Sequence, residues 1–373
     1  MRGTVFVVKT HSTARQVHLI VVPCRPSRAE GKTAMKTVTF GEVMLRLATP
    51  GHLRLTQASA LEMTFGGGEA NVAVSLALLG DEAAFVTRLP KNDVAEACLR
   101  RLRGFGVDVR QVVRGGERMG IYFLESGASQ RASTVTYDRA HSAISEIDPA
   151  ELKWETILPG AEWFHFTGIT PALSERAAQA SLEGARAAKK LGLMVSCDLN
   201  FRKKLWSGEK AGKVMGGLME HVDVCIANEE DAEKVFGIKA SGAAVTEGKI
   251  DHGRYVEVAE KLTERFGFKG VAITLRESFS ASHNGWSGLY FTGGKAHFSR
   301  RYEVQIVDRV GGGDSFAAGL IHALGRKKPA QEAIEFAAAA SCLKHSISGD
   351  FNLVGLAEIE GLLAGDGSGR VQR

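Results

Sequence analysis

The sequence predicts an α/β protein with a mostly parallel central sheet, helices on both of its faces, and a small β-sheet lid. Three observations predict it. Short, apolar, β-rich runs alternate with helical stretches along most of the chain, the pattern of a parallel sheet covered by helices. Residues 120–139 break that rhythm with two extended segments joined by a short polar turn. The 373 residues, 44% hydrophobic and 24% charged, suffice for one large domain with an accessory piece.

In chain order, "TVTFGEVML" reads as a first strand. "EANVAVSLALLG" reads as a helix whose C-cap is Gly80, "AAFVTRL" as a strand, and "DVAEACLRRLRGFG" as a helix closed by glycine. "GIYFLES" and "RASTVTYDR", joined by "GASQ", form a β-hairpin. That hairpin, with "LRLATP" and "ALEMTFGG", is expected to make the lid, from strands within residues 44–66 and 118–140. "WFHFTGI", "LMVSCDLNF", "VDVCIANEE" and "GVAITLRES" return to the main sheet, with helices such as "SERAAQASLEGARAAKKLG" between several of them. "SGAAVTEGKIDHGRY" (241–255) is expected to be a polar insertion or loop.

Charge divides the chain. The formal net charge of +5 lies within residues 1–34, and the rest sums to zero, so the body offers no basic surface for nucleic acid. Residues 1–35 are expected to be a disordered extension, or to lie upstream of a natural start at Met35; a transit peptide is the alternative. One folded domain is expected over 36–365 and a flexible tail over 366–373. No apolar run is long enough for a membrane span. The five cysteines are scattered and form no C-x-x-C pair, as expected of reduced thiols in a cytoplasmic protein without disulfides or a zinc site.

The chemistry lies in "DRVGGGDSFAAGL" (308–320). Gly311, Gly312 and Gly313 can bring bare backbone N–H groups to a ligand, and the helix expected from near Ser315 adds unpaired N–H groups and its positive dipole end. Together they suit a phosphate. Asp314 stands at the mouth of this anion hole, where a carboxylate can take the proton of an attacking hydroxyl. The residues match neither a dinucleotide fingerprint, since Phe316 stands where glycine is needed, nor a P-loop. A second glycine cluster, "GGGEANVAVSLALLG" (66–80), again precedes a helix; Gly67 could let a polar substrate approach and Asn71 could bond its hydroxyls.

The two clusters, in this order, resemble the ribokinase-like (pfkB) carbohydrate kinase family over residues 36–362. "DRVGGGD" resembles the family's D-T-x-G-A-G-D signature, with Arg309 in place of threonine and Gly312 in place of alanine. The resemblance implies a ribokinase-like three-layer α/β/α fold with a β-sheet lid, ATP and Mg²⁺, and Asp314 as the catalytic base. "ANEED" (227–231) is similar to an N-x-x-E segment near magnesium, which puts Asn228 beside ATP and Asp231 beside the metal through water, with Glu230 as a substitute. Asp308 is placed where relatives bind a monovalent cation such as K⁺. "TLRESFSASHNGW" (274–286) is similar to a nucleotide loop and offers Thr274 and Arg276; Asn200 and Asn352 are further ATP candidates.

Three segments turn the expectation toward an acid sugar. "YDRAHSA" and "DLNFRKKLW" are similar to segments of 2-keto-3-deoxygluconate kinases, and "GGGEAN" carries Glu69 where ribose kinases show a G-K-G-A-N pattern. Carried over, Tyr137, Arg139 and Arg202 contact substrate or phosphate, with Tyr122 a further candidate. An Arg fork binds a carboxylate through two charge-assisted hydrogen bonds. The expected reaction is transfer of a phosphoryl group to the terminal hydroxyl of 2-keto-3-deoxygluconate. A kinase for 5-keto-2-deoxygluconate or fructose is the nearest rival, and an inactive homologue acting as a binding protein the rival from another class. An open lid edge predicts a homodimer or higher homo-oligomer.

Overall fold

The computed structural model describes residues 34–241 and 251–367. The expectations for residues 1–33, for most of the polar insertion (242–250) and for 368–373 lie outside the described residues.

The elements run β1 (Lys36–Phe40), β2 (Met44–Ala48), β3 (Glu62–Gly66), α1 (Gly68–Leu78), β4 (Glu82–Val86), β5 (Arg88–Leu89) and α2 (Asp93–Gly104). Next come β6 (Val113–Arg114), β7 (Ile121–Glu125), β8 (Thr134–Asp138), α3 (Trp154–Ile157), β9 (Trp163–Thr167), α4 (Ile169–Leu173) and α5 (Glu175–Lys190). Then follow β10 (Met194–Asp198), α6 (Gly208–Met219), β11 (Val224–Ala227), α7 (Glu229–Phe236), α8 (His252–Phe266) and β12 (Gly270–Ser278). The chain closes with β13 (His283–Thr292), β14 (Lys295–Phe298), β15 (Tyr302–Gln305), α9 (Gly312–Gly325), α10 (Ala330–Lys344) and α11 (Leu356–Leu363).

The main sheet has the order β14-β13-β12-β11-β10-β9-β1-β4, with β15 on β13. It is parallel from β4 through β12 and antiparallel beyond. Alternate side chains of one strand point to opposite faces, so β11 sends Cys225 and Ala227 to one core and Val224 and Ile226 to the other. The first core packs under α3, α5, α6, α7 and α8, and the second under α1, α2, α9 and α10. Alanine and glycine let α9 and α10 pack backbone to backbone: a Cβ on Gly319 would come within 2.9 Å of Ala337 Cα. The result is the three-layer α/β/α arrangement expected from the sequence.

A separate four-stranded sheet, β3-β2-β7-β8, forms the lid. Its own core is small, with Met44, Ala48, Tyr122 and Leu124 buried and Val135 and Val310 packed against them.

Three local expectations need correction. "TVTFGEVML" is not one strand: β1 belongs to the main sheet and β2 to the lid, with the break at residues 41–43. A Cβ on Gly41 would fall 2.0 Å from the Glu69 carboxyl, so α1 packs on the backbone where the chain leaves the sheet. α9 begins at Gly312, earlier than near Ser315. The stretch 274–286 is a β-hairpin rather than a loop, since β12 runs to Ser278 and pairs with β13 from His283.

Candidate active site

The C-terminal ends of the parallel strands and the N-termini of α1 and α9 meet beneath the lid. Side chains of Asn92, Ser174, Ser207 and Asn228 cap α2, α5, α6 and α7. α1 and α9 instead start from Gly67 and Gly311 with no side-chain cap. Their first N–H groups and positive dipole ends are therefore left for a ligand.

The three glycines of the α9 turn do different work. Gly311 has φ +84°, and a Cβ there would lie 2.0 Å from the Asp350 carbonyl oxygen. A Cβ on Gly312 would lie 2.9 Å from the His345 ring. The Gly312 amide donates to Arg309 O (3.2 Å) and its carbonyl accepts from the Ser341 hydroxyl (2.6 Å). Gly313 alone has open space where its Cβ would be. Gly311 and Gly312 are thus fixed by packing, and the Gly312 amide is committed within the turn; the amides of Gly311, exposed Gly313 and Asp314 are the candidate donors to an anion.

Asp314 accepts a hydrogen bond from Asn71 Nδ2 at 2.7 Å, and Asn71 Oδ1 accepts from the Gly67 amide at 3.2 Å. Burial pushes the Asp314 carboxyl up to about 6; the Asn71 bond pulls it down, Asp350 adds to the rise, and Arg202 and Lys344 oppose it. A carboxylate with that value is a better proton acceptor at neutral pH than an ordinary aspartate. Gly67 is required by packing, because a Cβ would sit 2.0 Å from the Glu42 carbonyl oxygen. Glu69 points away from the cleft. It is buried, and its Oε1 accepts from Thr167 N, Thr167 Oγ1 and Thr170 Oγ1 at 2.7–2.9 Å.

A pocket of about 800 Å³ opens between β8 and the segment after β10. Tyr137 and Arg139 line one side and Arg202, Lys203 and Lys204 the other. Arg202 has no carboxylate partner among the described residues. Arg139 lies 5.1 Å from the Tyr137 ring centroid and is already paired with buried Glu42, which also accepts from Ser142 Oγ at 2.8 Å. Tyr122 does not line the pocket. Its hydroxyl donates to Asp350 Oδ1 at 2.5 Å, inside a buried network in which Arg46 donates to Asp350 (2.7 Å) and Asp308 (2.5 Å). Sequence reasoning missed Arg46, Glu42 and Asp350. A lone arginine in the apolar run "VMLRLA" is the signal that could have flagged the first.

The ATP candidates separate. Thr274 is half-buried and Arg276 exposed on β12. Asn200 follows β10 with φ +40°. Asn228 is exposed, with its side-chain oxygen on the Asp231 amide at 2.7 Å. Asn352 is buried, and its amide donates to Ser315 Oγ (2.6 Å) and Ala340 O (3.2 Å). It fixes the first turns of α9 from inside rather than lining a surface.

Asp198 ends β10 and Asp231 lies in the first turn of α7, just after β11; the charges of Asp231 and Asp314 both act on Asp198. Burial raises both, Asp231 to about 6, and Arg202 pulls both down. Hard carboxylate oxygens with so little compensating charge fit a divalent cation such as Mg²⁺. Among the described residues no three His, Cys, Asp or Glu side chains converge into a metal cage, so a divalent ion bound here would keep most of its waters, and Asp198 and Asp231 are the carboxylates that could hold it. A free monovalent cation does not fit at Asp308. That carboxylate accepts from Arg46, Val310 N and Gly349 N, and its carbonyl faces the Lys344 ammonium.

A solved structure of a 2-dehydro-3-deoxygluconokinase from Thermotoga maritima is 52% identical, with a TM-score of 0.86 over 89% of this chain and 99% of that one. A 2-dehydro-3-deoxygalactonokinase of Haloferax volcanii is 33% identical over 332 residues, 89% of this chain and 98% of that protein. A 2-dehydro-3-deoxygluconokinase of Bacillus subtilis is 28% identical over 85% of this chain and 92% of that protein. The profile of the pfkB family carbohydrate kinases matches residues 35–352, and the chain belongs to that family.

Proposed function

We propose that this sugar kinase phosphorylates the terminal hydroxyl of 2-keto-3-deoxygluconate, giving 2-keto-3-deoxy-6-phosphogluconate. The observation that carries the substrate is the pocket in which Tyr137, Arg139 and Arg202 converge next to Lys203 and Lys204. With Arg139 compensated by Glu42, the uncompensated charge of Arg202 beside Lys203 and Lys204 is what selects a carboxylate over a neutral hexose. The kinases named for this acid and for its galactonate counterpart support the same class of substrate.

As a pfkB kinase the chain uses ATP with a divalent metal. The metal, when bound, neutralises charge on the polyphosphate. The protein's own residues do the rest. Asn71 holds the Asp314 carboxylate in place, and Asp314 takes the proton of the sugar hydroxyl as the phosphorus–oxygen bond forms. The amides of Gly313 and Asp314, at the positive end of α9, receive the phosphoryl oxygens. The lid excludes water and so limits ATP hydrolysis. Thr274, Arg276, Asn200 and Asn228 are assigned to the nucleotide side. A homodimer through the lid and a cytoplasmic location belong to the same reading. The open edges of the lid support the dimer, and the free Cys98, Cys197, Cys225 and Cys342 support a reducing compartment.

ADP release by the purified protein with ATP and Mg²⁺ tests the assignment, offering 2-keto-3-deoxygluconate, its C4 epimer, gluconate, fructose and ribose. Preference for the two keto-deoxy acids is expected. Equal turnover of fructose would remove the carboxylate role from Arg139 and Arg202. The galactonate-named relative favours one further outcome, in which both epimers are accepted.

A further inference from the structure

Lys344, the last residue of α10, is completely buried. Its ammonium donates to the carbonyl oxygens of Ile347 (2.9 Å) and Asp308 (3.4 Å). These carbonyls belong to the two segments that build the α9 N-terminus. Asp308 opens the glycine turn, and the loop after α10 backs it: Gly349 N donates to the Asp308 carboxylate (3.0 Å), and the Asp350 carbonyl packs on Gly311.

Burial disfavours the charged lysine, while Asp308, Asp350 and Asp314 favour it and Arg46 opposes it. The acids outnumber the nearby cation, and Arg46 is already committed to Asp308 and Asp350. A long side chain loses much rotamer freedom on burial, so a surface lysine would be the cheaper choice. Here the ammonium makes no direct ion pair among the described residues. It sits on backbone carbonyl oxygens, as a small monovalent cation does.

We propose that the Lys344 ammonium is the resident monovalent cation of the glycine turn, holding the Asp308 and Ile347 carbonyls inward so that the Gly313 and Asp314 amides face the transferred phosphoryl group. The enzyme then needs no free K⁺. Lys344 acts through the turn and is a positioning residue. The inference rests on the reading of the α9 N-terminus as the phosphoryl site, and not on which sugar is used.

The wild-type rate is measured in sodium, potassium, ammonium and choline chloride at equal ionic strength, with whichever sugar is turned over. ATP binding by calorimetry runs in parallel and needs no sugar, so a failed substrate assignment is separable from a failed inference. Equal wild-type rates in all four salts are expected. Lys344→Met, which removes the charge but fills the space, should lower kcat by roughly 10²-fold, the scale of one lost oxyanion-type interaction, in every salt. Lys344→Ala should be as slow in sodium and recover with ammonium or methylammonium, but not with tetramethylammonium. A wild type stimulated by potassium overturns the proposal. So does folded Lys344→Met with a normal kcat, or Lys344→Ala that treats ammonium and tetramethylammonium alike. If both variants fail to fold, the wild-type salt series decides.

Discussion

Two buried carboxylates near the cleft differ in what their environments require. Asp314 must be ionised to accept a proton, and its carboxyl sits at about 6 because burial outweighs the Asn71 bond. kcat/KM, which reports the free enzyme, should therefore fall as pH drops through about 6, and its pH profile reads this directly. Asp314→Asn should keep the melting temperature and lower kcat by roughly 10²–10⁴-fold. A near-normal rate would take Asp314 out of the mechanism. Glu69 touches no substrate in this reading. Burial moves it from an ordinary 4.5 up to about 7, against the opposing bonds from Thr170 and Thr167. A carboxyl raised on folding favours the folded state when protonated. Its contribution is complete below about 4.5 and is lost as pH rises through about 7. Glu69→Gln keeps the accepting Oε1 and cannot ionise. It should match the wild type near pH 4 and exceed it at pH 8.5 by roughly 3 kcal/mol in urea unfolding, an order-of-magnitude figure. Parallel pH profiles for the two proteins would refute that account.

At the scale of elements, the proposed function depends on two helix N-termini left open by glycine. Gly311 and Gly313 look equivalent in the sequence and are opposite in the structure. Gly311→Ala forces a side chain into φ +84° and against the Asp350 carbonyl. It should cost at least about 2 kcal/mol of stability. Gly313→Ala meets nothing within 4 Å. It should leave stability unchanged or raise it by up to about 1 kcal/mol, yet cut kcat by placing a methyl beside the phosphoryl oxygens. Denaturant titrations and steady-state rates on the pair separate fold from access. The same contrast explains what was legible beforehand. Alternating apolar runs give the parallel strands and helices, and the local motifs single out two pairs that the fold joins, Asn71 with Asp314 and Arg139 with Arg202 across one pocket. What long-range partners decide was not legible. Glu69 under Gly41 splits the first strand, Asp350 takes Tyr122 out of the pocket, and Ser315 turns Asn352 inward. The strands β13–β15 went unread although Gly293 and Gly294, both at positive φ, mark a tight hairpin turn. Lys344 hides in an alanine-rich helix whose pattern gives no hint of an acidic neighbourhood.

For the whole molecule the lid raises a problem of edges. A four-stranded sheet with a core of four buried side chains is a thin structure to close over a cleft. Leu45 and Phe65 of its strands pack into the main body's core, and its buried polar ties are Arg46 and Tyr122, which meet Asp308 and Asp350. Its outer strands β3 and β8 leave backbone groups unpaired, and Met63 on β3 is 56% exposed, with Leu53 and Leu55 exposed close by in the chain. Monomeric proteins blunt such edges with charge or proline; β3 reads Glu-Met-Thr-Phe-Gly, with a charge only at its first residue. Pairing with a second lid would cover Met63, complete the edge and stiffen the wall that carries Tyr137 and Arg139. Light scattering after size exclusion should therefore show a dimer. Met63→Glu, which puts a charge on that edge, should shift it toward monomer and raise KM for the sugar more than it lowers kcat, because the pocket wall loosens while Asp314 and the α9 turn stay in place. A monomeric wild type, or a Met63→Glu dimer with unchanged KM, would mean that the Arg46 network holds the lid by itself.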